Sequence, residues 1–318
     1  MSVDLYHNNF LAMGTRMDLI FWGVEHRYAH FIFQDIFNEV NRLESVLSRF
    51  DKDSLVSHIN ESAGIQPVEV TEELFSILSM CSQYQELTNG LFDITALPLI
   101  QAVKKNDAHK KDSLTKARDI TGIDKMKLNR EKLTAFLEKK GMQIDLGGIG
   151  KGIALEHIDR ILTNNSLANA FISFGESSVL AKGKHPYGDC WKTGIRHIAD
   201  NQQNVYSLDL KNVSLSTSGN TSKELRDIIN PKTVNFPDKI STTSVVSKSP
   251  VDAEILSTAL LLSSDEEKEQ ILKKFEPEKV TEIIYDNNQP QVKEWYNKSG
   301  NIPYDKSTTK NKTKTHNT

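Results

Sequence analysis

Apolar positions set the first expectations. Phe33, Ile36, Phe37, Val40, Leu43 and Leu47 recur at helical spacing, which predicts an amphipathic helix over residues 31–48. Leu74, Phe75, Leu78 and Cys81 mark a second helix, with Thr71 placed to accept from its first free N–H groups. Leu11 to Trp22 reads as one strand after a short lead-in, and Ala170 to Phe174 as a short strand ending at Gly175. Residues 204–217 alternate in the manner of strands, and residues 240–247 predict another. Asp252 is expected to cap a helix running through Leu262. The lysine-rich stretch 103–143 predicts surface helices and a short hairpin around Gly141. Helices and strands mix without a βαβ beat or an internal repeat, so the expected class is α+β, mixed sheets with packed helices.

Composition narrows the function classes. The 318 residues are 38% hydrophobic and 25% charged, a globular balance with no apolar run long enough to span a bilayer. Met1 to Phe10 lack a basic cluster followed by an apolar stretch, so no secretory signal is read there and a cytoplasmic location is expected. Net charge is −3, and residues 301–318 contribute +3 through Lys306, Lys310, Lys312 and Lys314 against Asp305. The body therefore carries −6, which argues against a nucleic-acid surface. The 301–318 segment has almost nothing apolar and is expected to be a disordered basic tail. Cys81 and Cys190 have no metal-type or redox-type spacing and read as buried thiols.

The glycine-rich segment Gly147-Gly148-Ile149-Gly150-Lys151-Gly152 precedes an apolar helix near Ile153–Leu162. Glycines in that position let backbone N–H groups approach phosphate oxygens at the positive end of the helix dipole. Two familiar phosphate motifs fail here. A P-loop requires Ser or Thr at Gly152, and a dinucleotide fingerprint requires Gly or Ala at Ile153. Alone, the segment reads equally well as a tight structural turn.

Its companions change that reading. Asp145-Leu-Gly-Gly-Ile-Gly-Lys-Gly152 is similar to the central motif of the ApbE family of flavin transferases, roughly DLGGIAKG. Met13-Gly14-Thr15 resembles that family's opening MGT, and Leu47-Ser48-Arg49-Phe50-Asp51-Lys52-Asp53-Ser54 its aromatic-then-DS segment. Gly90-Leu91-Phe92-Asp93-Ile94-Thr95 with Pro98-Leu99 resembles G-x-F-D-P-T…PL, Ser216-Thr217-Ser218-Gly219-Asn220 the TSG turn, and Ala253-Glu254-Ile255-Leu256-Ser257-Thr258-Ala259 the ADAxxTA helix start. The six blocks keep the family's order across residues 13–259. The resemblance implies a T-fold-like architecture, a single domain over residues 1–300, and Mg²⁺-dependent transfer of the FMN half of FAD to a Thr or Ser hydroxyl of a target flavoprotein, with AMP released. Family members are often exported.

By motif position, Met13, Phe50, Leu91, Phe92, Asp93, Asp145, Lys151 and Ile228 would line FAD. Met13 and Phe50 suit flat rings, the two aspartates suit ribose or ring N–H groups, and Lys151 suits the pyrophosphate. Core packing of Met13 and Phe50, and capping by Asp145, are the competing readings. Glu254 and Thr258, four apart on a helix, match the family's metal ligands, with the Gly148 carbonyl completing the set; a solvated helix face is the alternative. Departures fall near the chemistry. Glu254 stands where the family has Asp. In Asp227-Ile-Ile-Asn-Pro-Lys-Thr233, similar to HIIDPRTG, Asp227 replaces a His that is a candidate general base, Asn230 replaces Asp, and Val234 replaces Gly. Asp227 is the candidate base here, though an ordinary aspartate is a weak one near neutrality. Gly175-Glu176-Ser177 replaces Gly-Gly-Asn/Asp, and a carboxylate at Glu176 would repel phosphate unless it points away. Three outcomes stay open: a transferase, an FAD-binding paralogue that no longer transfers, and an FAD pyrophosphatase.

Overall fold

The computed structural model describes residues 4–104, 110–220 and 228–295. The chain opens with a hairpin of β1 (Leu5–Ala12) and β2 (Thr15–Trp22), then α1 (His26–Leu47) and α2 (Leu55–Glu61). There follow β3 (Val68–Glu69), α3 (Glu72–Leu87), α4 (Leu97–Lys104), α5 (Lys110–Asp119), β4 (Met126–Asn129) and β5 (Thr134–Leu137). Helix α6 (Gly150–Asn164) leads into β6 (Ala170–Phe174), β7 (Ser178–Lys182), β8 (Trp191–His197), β9 (Asp200–Leu210), β10 (Val213–Asn220) and β11 (Ser241–Ser247). The described chain closes with α7 (Pro250–Leu262), α8 (Asp265–Leu272), β12 (Lys279–Asp286) and β13 (Gln289–Trp295).

Eight strands make one antiparallel sheet in the order β1-β2-β6-β7-β10-β11-β12-β13; β3-β5-β4 and β8-β9 form two small ones. Strand alternation sends side chains to two different covers. On β7 and β10, Val179, Ala181 and Leu215 join Trp191, Ile195, Leu208 and Leu210 of the β8–β9 ribbon. On the opposite face, Met17, Leu19, Phe21, Ile172 and Phe174 pack with the apolar stripes of α1 and α6 in the largest core cluster. Helix α7 lies over β10 and β11 and is buried nearly all round. This α+β arrangement of helices on antiparallel sheets is the class the sequence predicts. No helix among the described residues is long and apolar enough to cross a membrane.

Several boundaries move. The stretch Leu11–Trp22 belongs to two strands, because Met13 and Gly14 take positive φ (48° and 73°) and turn the chain back on itself. The hairpin expected near Gly141 is β4–β5, with Gly141 in the turn that follows it. Ser249, not Asp252, caps α7: its hydroxyl accepts from the Asp252 N–H at 3.1 Å, with Pro250 opening the helix. Thr71 does cap α3, accepting from Leu74 N. Cys81 is buried, but Cys190 is half-exposed. The tail 301–318 lies outside the described residues.

Candidate functional site

The glycine-rich turn is fixed from three sides. Asp145 N donates to the Ile94 carbonyl at 2.8 Å, joining the turn to the loop that carries Phe92 and Asp93. The Asp145 carboxylate accepts from Gly147 N at 2.9 Å with one oxygen and from Arg49 Nε at 2.9 Å with the other. Capping and a charged contact are thus both present at Asp145. Helix α6 then starts at Gly150 with no side chain capping it and no acid in its first turn, leaving N–H donors and the positive dipole end for an anion.

The glycines differ in how closely they are approached, Gly148 and Gly150 at ordinary contact distance. A Cβ on Gly150 would meet the Met13 sulfur at 3.8 Å, and one on Gly148 would meet the Phe92 ring at 3.7 Å. Gly152 is tighter still. A Cβ there would lie 3.0 Å from the Pro250 carbonyl and Val251 Cα and 3.1 Å from Glu254 Cβ, so α6 and α7 touch at backbone distance. Beside this contact, the turn of β6–β7 abuts the β1–β2 turn, with Gly175 N donating to the Arg16 carbonyl at 2.8 Å.

That proximity brings Lys151 onto Glu254. The ammonium forms an ion pair with Glu254 Oε1, while Oε2 accepts from Ser178 Oγ at 2.7 Å and Ser216 Oγ at 2.9 Å. Glu254 is 5% exposed, so the solvated-face alternative does not describe it. Buried charge is tolerated only when so paired. A chain of hydroxyls continues from Ser216 through Ser257 and Ser218 to Thr258, with steps of 3.1, 2.8 and 3.0 Å. Glu254 and Thr258 therefore share one hydroxyl-rich seam between α7 and β10.

The other expected residues divide. Phe50 is 78% exposed, with the Arg49 guanidinium 3.9 Å from its ring centroid, and presents an open aromatic face rather than a core contact. Met13 is half-buried against the core edge. The Leu91 side chain packs in an apolar cluster with Leu256 and Leu260, leaving only its backbone for a ligand. Asp93 accepts from Thr95 N (2.8 Å) and Thr95 Oγ1 (2.6 Å), and burial pushes its carboxyl above the ordinary aspartate value despite those bonds. It borders a cavity of about 450 Å³ whose wall also includes Gly90, Arg118, Thr121 and Lys232. Ile228 is half-buried at the start of its described segment. Asp227 lies outside the described residues.

The departures acquire physical explanations. Asn230 Oδ1 accepts from Lys232 N at 2.9 Å and Thr233 N at 3.2 Å, an Asx turn that Asn supports as well as Asp. Val234 sits at φ 61°, a left-handed conformation that explains a glycine preference and that a β-branched residue holds at a cost. Glu176, also at positive φ (59°), pairs with Arg196 at 3.0 Å. Asp252 accepts the Tyr84 hydroxyl, and burial raises the carboxyl.

Sequence reasoning missed Arg49, Ser178 and Ser216 as site residues. Arg49 and Ser216 stood inside recognised blocks without a role, and both serines pair with a carboxylate 76 and 38 positions away, which no local spacing reports.

Comparison with known proteins fits this geometry. The sequence model of the ApbE family matches residues 13–284. The FAD:protein FMN transferase of Klebsiella pneumoniae (strain 342) is 23% identical over 282 residues, 82% of this chain and 79% of that protein. The one from Buchnera aphidicola subsp. Schizaphis graminum (strain Sg) is 29% identical over 236 residues, 69% of each. Among solved structures, the flavin transferase ApbE from Vibrio cholerae aligns with TM-score 0.80 at 20% identity, covering 94% of this chain and 98% of that one. The ApbE protein of Thermotoga maritima aligns with TM-score 0.77 at 21% identity, over 91% and 96%. With the family's model spanning most of the chain and its fold shared, this protein belongs to the ApbE family.

Proposed function

We propose that the protein is an FAD:protein FMN transferase, which binds FAD at the glycine turn and moves its FMN half to a Thr or Ser hydroxyl of a target flavoprotein, releasing AMP. The single observation that carries this reading is the convergence of Met13, Phe92, Asp145, Gly148, Gly150, Lys151 and Glu254 around one uncapped helix start. The exposed Phe50 face suits a flat ring, and the helix start with Lys151 suits a pyrophosphate. The cavity beside Asp93 offers room for a further part of the dinucleotide.

Phosphoryl-type transfer of this kind needs charge neutralised on the phosphate oxygens. The donors at the α7 seam are carboxylate and hydroxyl oxygens, which fit a hard cation. Glu254, Thr258 and the Gly148 carbonyl would hold Mg²⁺, whose chemistry is to offset that phosphate charge. The chain's own contribution is positional: Ser178 and Ser216 orient Glu254, Arg49 and Gly147 orient Asp145, and Asp227 is the candidate acceptor of the attacking hydroxyl's proton.

A second reading, an FAD-binding relative without transfer, is favoured by one observation: both Glu254 oxygens are already engaged, one of them by Lys151. One experiment separates the readings. Purified protein, FAD, Mg²⁺ and a candidate acceptor domain are mixed, then AMP and acceptor mass are measured. AMP with an FMN-mass adduct supports transfer. AMP without the adduct identifies a pyrophosphatase, and neither product with retained FAD binding identifies a binder.

A further inference from the structure

Lys151 and Glu254 make a pair whose members are both wanted elsewhere once ligands arrive. Lys151 occupies the first turn of α6, beside the uncapped N–H groups that suit an anion. Its side chain is 21% exposed, that of Glu254 only 6%. The partner able to move is therefore the lysine, on four rotatable methylenes. Glu254 is held by Ser178 and Ser216, and its backbone is locked by the Gly152 contact between α6 and α7.

We infer that Lys151 is an exchangeable counter-ion: its ammonium neutralises Glu254 in the ligand-free protein and leaves for the pyrophosphate when a divalent cation takes Glu254. The inference rests on the flavin-binding reading above. Charge counting supports it. Ligand-free, one carboxylate and one ammonium cancel. Fully loaded, the carboxylate and the two charges of a pyrophosphate are balanced by a divalent ion and the same ammonium. Either ligand alone leaves two uncompensated charges in a site where Glu254 is almost wholly shielded from water. Cation and FAD must then bind as a cooperative pair, each raising the other's affinity by the same factor.

Manganese serves as the probe, titrated into the FAD-free protein and followed by electron paramagnetic resonance. Lys151→Met is expected to bind Mn²⁺ at least ten-fold more tightly than wild type, because its carboxylate has lost the competing ammonium. Glu254→Gln should lose the site. A Lys151→Met affinity equal to or below wild type overturns the exchange, and if Glu254→Gln still loses Mn²⁺ the metal reading survives that failure. A Glu254→Gln variant that binds Mn²⁺ as wild type does removes the metal reading and the exchange together. A second measurement needs no variant. Amine labelling of wild-type protein, read by peptide mass spectrometry, is expected to show Lys151 reacting faster with Mg²⁺ present and slowing again when FAD is added. Labelling indifferent to Mg²⁺ overturns the proposal.

Discussion

Ser216 donates into a carboxylate that has almost no access to water, so its hydroxyl stabilises more than a surface bond would. Ser216→Ala is expected to cost about 1–3 kcal/mol of stability by leaving Glu254 Oε2 with a single donor, measured as a shift in the urea midpoint at unchanged slope. Arg42 supports a different network. Its guanidinium reaches Glu39 and Glu73 at 2.7–2.8 Å, and His157 Nδ1 lies 2.7 Å from Glu39. The guanidinium holds both glutamates below the ordinary value of 4.5. A lowered folded value means that their contribution is complete above about pH 4.5 and is lost as pH falls through the lowered values. Arg42→Met should therefore lower the melting temperature at pH 7 and flatten its decline between about pH 5 and 3. Thermal scans across that range check both parts. At this scale the sequence was informative where residue type and local position decide, as in the capping of the glycine turn by Asp145. It was silent on Ser178, Ser216 and Arg42, whose roles depend on which distant side chain the fold sets beside them.

The contact of α6 with α7 is the element-scale feature on which the site depends. Gly152→Ala would drive a methyl group into the Pro250 carbonyl and Val251 Cα, both backbone atoms unable to yield by a side-chain rotation. Overpacking of this kind costs about 1–3 kcal/mol. It should also part Lys151 from Glu254, so FAD affinity is expected to fall more than ten-fold while circular dichroism stays that of the wild type. Retained affinity in a folded variant would dissociate the helix contact from the site. The helices were readable because their stripes are long: α1 covers the expected stretch but begins at His26, five residues before the periodicity places it, and α3 follows the expected cap Thr71. Strands and turns were harder. The β1–β2 turn uses a methionine at positive φ, a choice with no turn-forming signature in the residue itself. Strand β12 is buried on both faces from Val280 through Ile283, including the polar Thr281 and Glu282, so it shows no alternation of apolar and polar residues.

Ligand binding tests the molecule as a whole. The site draws on the β1–β2 turn, the Phe92 loop, α6 and α7, so an occupant fastens elements far apart in sequence. Saturation at about 100 times the dissociation constant adds about 2.7 kcal/mol to a folded protein. FAD with Mg²⁺ is expected to raise the melting temperature by several degrees and FMN to raise it less, because FMN lacks the groups that Asp93 and Lys151 would contact. Equal shifts, or none, would contradict the flavin reading. The α+β class was legible from the irregular mixture of element types, whereas the strand order was not, since pairing partners are set by burial across the whole chain. That order has a consequence during synthesis. The β1–β2 hairpin leaves the ribosome well before its sheet neighbour: β2 pairs with β6, and 148 positions separate Trp22 from Ala170. At about 5–20 residues per second the nascent hairpin waits roughly 7–30 s for its neighbour. Until β6 and α6 arrive, Met17, Leu19 and Phe21 have only the α1 part of their native cover, beside an unpaired strand edge. Yield in the cell should consequently depend on chaperone capacity and on elongation rate, and slower translation of the first half should favour aggregation over the native sheet.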